Sequence, residues 1–136
     1  MGMYTEFVFG CMLEKGTPDD VIDVLHCLIK GTNYSFPLLP KHPFFECDRW
    51  RSVALCSSYY FGGQKCSEIG YDDISKSWRI SIRANLKNYD GEIKKFVDWL
   101  RPYIHQGAGR NGLLGYQIYE EEIDPEMFYL NGVVLD

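Results

Sequence analysis

Positive charge is scarce in this chain: 14 lysines and arginines stand against 19 aspartates and glutamates, giving a net charge of −5. Gripping a nucleic-acid backbone requires clustered cations that displace counterions, so direct nucleic-acid binding is not expected. No apolar run approaches the roughly 20 residues that span a bilayer, and no membrane association is expected. The start has neither the basic leader nor the long apolar core of a secretory signal, which reads as a cytoplasmic protein. The opening Met1-Gly2 lacks the Ser or Thr that myristoylation wants at the sixth position, where Glu6 stands.

Paired cysteines are missing as well. Cys11, Cys27, Cys47, Cys56 and Cys66 are odd in number and widely spaced, with no C-x-x-C, as befits free thiols in a reducing compartment. A zinc site on His42 with Cys47, or on His26 with Cys27, would lack the second short-spaced ligand pair, so neither a metal nor another cofactor is expected. There is no nucleophile elbow, P-loop or H-E-x-x-H. His26, His42 and His105 are the available bases, and none lies in a motif that supplies its partner, although His42 and Glu46 are close enough in sequence to pair. No catalytic residue is nominated.

What is present is a clear organising stretch, Ser77 to Leu100. From Trp78 to Leu86, Trp78, Ile80, Ile82, Ala84 and Leu86 alternate with Arg79, Ser81, Arg83 and Asn85, which predicts a strand with one dry and one wet face. Asn88 and Asp90 offer acceptors for a helix start. Ile93, Phe96, Val97 and Leu100 then recur at helical spacing until Pro102 stops the run.

The N-terminal half repeats this order. Phe7, Phe9, Cys11 and Leu13 predict a strand within Met3–Leu13. Thr17 reads as an N-cap, Pro18 as the first helical residue, Asp19 and Asp20 as dipole-favoured acids, and Gly31 as the stop. Val21, Val24, Leu25 and Leu28 form a stripe with the same spacing as that of the second helix. Pro37, Pro40 and Pro43 among Tyr34, Phe36, Phe44 and Phe45 predict an irregular flap packed on the body. Strands are predicted at Arg49–Phe61 and Gln64–Asp72 around Gly62-Gly63, and at Leu113–Glu122 and Glu126–Leu130 around Asp124-Pro125.

The expected fold is therefore α+β, a single domain over residues 1–136 with halves at 1–75 and 76–136. Two β-α-β-β units would form a largely antiparallel sheet of about six strands, with two helices packed on one face.

The other sheet face then lies open and would carry Arg79 and Arg83 with Tyr116 or Tyr119 from a neighbouring strand; these residues, with Arg110 of the glycine-rich loop, are the candidate ligand-binding residues, arginine for carboxylate or phosphate and tyrosine for stacking. The plain alternative is a solvated face. Glu120, Glu121, Glu122, Asp124 and Glu126 crowd the last hairpin, either as a soluble turn or as an imitation of a phosphate backbone offered to a basic partner. Trp99, at the flank of its helix, either anchors a partner or second copy, or packs under the flap. Gly107 to Gly112 matches G-x-G-x-x-G but leads from a helix into a strand, the reverse of the dinucleotide fingerprint, leaving a flexible loop or an anion nest with Arg110.

The segments MYTEFVFGCMLEKGTPDDVIDVL, LPKHPFF, RW, SYYFGG and RANLKNYDGEI together resemble small uncharacterised proteins of bacteriophages and prophages. That resemblance covers most of the chain and implies a non-enzymatic interaction protein that binds a host protein in the host cytoplasm, components of host defence included. A homodimer is the other partner to expect. The competing expectation is a binder of a small anionic ligand, or an enzyme, using the open sheet face. The paired order is also similar to the vicinal-oxygen-chelate fold. Here each half is one strand short, and no matching His/Glu ligand set is present.

Overall fold

The alternation that begins at Ser77 is a strand. β3 (Ser77–Leu86) buries Ile80, Ile82, Ala84 and Leu86 and exposes Arg79, Ser81 and Arg83. The computed structural model describes residues 4–55, 66–105 and 112–130. Four more strands are described, β1 (Thr5–Met12), β2 (Glu68–Asp72), β4 (Leu113–Tyr119) and β5 (Glu126–Tyr129). They form one antiparallel sheet in the order β2-β3-β1-β4-β5. β1 takes the centre, where its alternate residues Phe7 and Phe9 are shut off from solvent.

Two helices cover one face, α1 (Asp19–Lys30) and α2 (Glu92–Leu100). All eight residues of the two expected stripes are buried, and they join Phe7, Phe9, Ile80, Ile82 and Ala84 in one core. Phe96 sets its ring edge-on to Phe7 and Phe9, which locks α2 onto β1. Gly31 ends α1 in the left-handed conformation, its N–H donating to the Cys27 carbonyl. Asn88 accepts from the Ile93 N–H at the start of α2, as its position suggested. Thr17 does not cap α1: its hydroxyl donates back to the Glu14 carbonyl, and Pro18 takes the cap position.

Other expectations change as well, among them the start of β2, which is Glu68 rather than Gln64. Of the strand predicted at Arg49–Phe61, residues 49–55 form instead a 3-10 turn at Trp50–Ser52, and the remainder lies outside the described residues. Trp50, Val53 and Ala54 are the buried ones while Leu55 is 41% exposed, which is the spacing of a helical turn rather than of a strand. The last strand pair is shorter than predicted, because the Glu122 N–H turns back onto the Tyr119 carbonyl. His26, available as a base on sequence grounds, is half-buried against the sheet. Its Nδ1 donates to the Ile22 carbonyl, and its ring meets Trp78 edge-on at 5.0 Å.

The flap packs as expected where its aromatic residues are. A 3-10 turn at Pro43–Glu46 buries Phe44 against Phe96, Trp50 and Trp99.

Candidate functional site: the open sheet face

Residues paired across antiparallel strands point to the same face, so the register decides what meets on the uncovered side. Ser81 lies opposite Gly10 of β1 and Glu68 of β2, and the neighbouring row holds Met12, Arg79 and Gly70. Further along come Arg83, Val8, Tyr116 and Met127. Arg79, Arg83 and Tyr116 thus share the open face, as expected. Tyr119 does not: it pairs with buried Thr5 and belongs to the helix side. Positions 116 and 119 have opposite parity in a strand, so one face cannot hold both. Arg110 lies outside the described residues.

Two glycines in these rows went unremarked in the sequence. Gly10 and Gly70 have no positive φ. A Cβ added at Gly70 would touch nothing within 4 Å, and one at Gly10 would make ordinary contact with the Ile80 carbonyl at 3.7 Å. Neither packing nor backbone shape demands glycine there, although glycine weakens a strand interior and often marks close approach by a ligand. Beside Gly70 lies a hollow. It measures ≈ 390 Å³ and is lined by Glu68, Gly70, Arg79 and Ser81, with Cys11, Ile69 and Ile80 in the row between. Those three direct their side chains to the helix side, so their main chain forms the floor. The available signal was a glycine at a wet position of an alternating strand, as Gly10 is between Phe9 and Cys11.

The rim carries both signs of charge. Arg79 and Glu68 are exposed diagonal neighbours on adjacent strands, and neither makes a hydrogen bond or close ion pair among the described residues, although Arg79 also stands near enough to Asp72, its other diagonal neighbour, to help lower that carboxyl's pKa. Diagonal positions across a strand pair lie about 7–8 Å apart at Cα, within reach of one small molecule held between two long side chains. Ser67 ties the backbone beneath, its hydroxyl accepting from the Arg83 N–H at 3.2 Å.

A second hollow of ≈ 290 Å³ lies beyond Met12, lined among others by Glu14, Ser75, Ser77 and His105. These are the residue types of an acyl-transfer triad, and sequence reading did not bring them together. Their hydrogen bonds run elsewhere. Ser77 and Ser75 hydroxyls are 2.8 Å apart, Ser75 donates to Asp72, and His105 Nδ1 faces Glu14 at 3.4 Å. The Ser75 hydroxyl and the Ile74 N–H hold the Asp72 carboxyl below its ordinary range, which suits it to accepting hydrogen bonds rather than protons.

His42 is spoken for by structure: its Nδ1 accepts from the Phe44 N–H and its Nε2 donates to Asp98, so it does not pair with Glu46. No group of three His, Cys, Asp or Glu side chains among the described residues is placed to hold a metal ion. No described helix is long and apolar enough to cross a membrane.

The residues put forward for partner contact divide. Glu120, Glu121, Glu122 and Asp124 are all exposed in the β4–β5 turn, around Ile123, which is 90% exposed. Trp99 is only 5% exposed, held between Phe44, Phe45 and Tyr103, so the flap takes the ring that an interface would have needed.

The chain matches no protein-family model, no curated protein and no solved structure. Its chemistry is read from its own residues.

Proposed function

We propose that this protein is a non-enzymatic binding module whose open sheet face holds a small ligand through an anionic group, with Arg79 as the charge partner. The supporting observation is the hollow beside Arg79, kept empty by Gly70 where a larger residue would fit without strain. Guanidinium against carboxylate or phosphate is a charge-assisted contact worth roughly 1.5–3 kcal/mol. Arg83 and Tyr116, on either side of Val8, extend the same face by one row.

The test is an NMR titration of the labelled protein with acetate and with inorganic phosphate at low ionic strength. Shifts concentrated at the Gly10, Gly70 and Ser81 amides, and lost in Arg79→Ala, are the expected result. Shifts scattered over the surface, or unchanged in that variant, would remove the proposal.

A second reading is favoured by Ile123, an apolar side chain standing 90% exposed within an acidic turn. In that reading the turn docks on a basic host-protein surface with an apolar socket, the contact the phage resemblance implies. Glu121→Lys with Glu122→Lys should then abolish capture of a defined basic partner while Arg79→Ala leaves it intact; the opposite pattern excludes the turn.

A further inference from the structure

Resting on the open-face reading, we infer that the ligand is a zwitterion, and specifically a free α-amino acid with an apolar side chain. Three observations converge. The hollow is bounded by one cation and one anion, Arg79 and Glu68, not by cations alone. The two side chains lie on neighbouring strands of the same face without pairing to each other. Between them stands Ser81, whose hydroxyl donates or accepts as the bound group requires.

A simple anion drawn to Arg79 would be repelled by Glu68, and a simple cation drawn to Glu68 would meet Arg79. A molecule with a carboxylate and an ammonium on one carbon satisfies both and leaves neither side chain opposite a like charge. The net charge of the whole chain, −5, also gives a bare anion no long-range attraction. The apolar part has a place as well. Met12, directly across from Arg79 on β1 and half-buried, lines the neighbouring second hollow rather than this one, so an aliphatic side chain reaching past Arg79 and away from Glu68 would cover it. Gly70 keeps the main chain accessible beneath the charged end.

L-leucine is the probe, compared with 4-methylpentanoate, which lacks the ammonium, and 3-methylbutylamine, which lacks the carboxylate. Calorimetry gives affinities, and amide shifts at Gly10, Gly70 and Ser81 give the location. Leucine should bind at least tenfold more tightly than either half-molecule. Glu68→Gln should reduce leucine to the affinity of 4-methylpentanoate, and Arg79→Gln to that of the amine. Gly70→Val should fill the hollow and block leucine while the protein stays folded by circular dichroism. If 4-methylpentanoate binds as tightly as leucine and Glu68→Gln leaves leucine binding unchanged, the zwitterion inference fails and the anion-binding reading survives. If neither leucine, 4-methylpentanoate nor inorganic phosphate shifts those amides, both fail.

Discussion

The ring of Phe44 stacks on that of Trp99, with centroids 5.9 Å apart and planes inclined by 23°. Phe44 comes from the flap and Trp99 from α2, so this contact closes the flap over one end of the core. Truncating a buried tryptophan removes its transfer free energy and leaves a cavity that neighbouring rings only partly fill. Trp99→Ala is therefore expected to lower stability by about 3–5 kcal/mol in urea denaturation. An unchanged midpoint would mean that the flap does not seal the core.

His42 joins the same two elements by polar contacts, Nδ1 to the Phe44 N–H at 3.1 Å and Nε2 to Asp98 at 3.1 Å. Loss of a capping acceptor typically costs about 0.5–2 kcal/mol. His42→Ala should fall in that range and His42→Asn should recover part of it, since asparagine is a strong cap. Equal thermal stability of the two variants would show that the cap contributes nothing.

Glycines should behave in opposite ways on this sheet. At Gly115, a Cβ would overlap the Val8 carbonyl and crowd the Phe9 Cα, both backbone atoms that cannot step aside. Gly115→Ala should destabilise by about 1–3 kcal/mol or more, whereas Gly70→Val should be no less stable than wild type, because valine suits a strand and meets nothing there. Thermal melts of the two variants decide it. A loss in Gly70→Val as large as that in Gly115→Ala would contradict the open hollow.

Burial on the helix side pushes the Cys11 thiol up from its ordinary 9.0 to about 12. Below pH 9 both folded and unfolded chains keep the proton, and the thiol contributes no pH dependence. Between about 9 and 12 the unfolded thiol ionises while the native one does not, so native stability falls as pH rises. Cys11→Val should flatten that fall relative to wild type in denaturation series from pH 8 to 11. Parallel curves would place the thiol in solvent.

Much of the local structure was legible. The stripes of α1 and α2, the stop at Gly31, the Asn88 acceptor near the start of α2 and the two faces of β3 all follow from spacing, because each depends on residues within a few positions of one another. The turn at Trp50–Ser52 was misread for a related reason. Val53 and Leu55 alternate correctly for a strand, and only the burial of Trp50 with Val53 and Ala54 shows that the chain turned first. Alternation placed Arg79 and Arg83 on the open face with one of Tyr116 and Tyr119, whereas the approach of Glu68 and Gly70 to Arg79 was not legible. Nothing in the neighbourhood of Gly70 says that it will lie across from Arg79.

By itself, the sequence determined the helices, the alternation of the strands and the wet side of β3, since hydrophobic periodicity is a local property and burial rewards it wherever the segment docks. Tertiary structure alone decided that β1 sits at the centre in the order β2-β3-β1-β4-β5, that Tyr116 rather than Tyr119 lies on the open face, and that Trp99 is closed under Phe44. These are matters of register and long-range pairing. A shift of one residue would move every side chain of a strand to the other face, and only the packing of the whole core selects among such alternatives. Arg79 and Glu68 face one hollow for that reason.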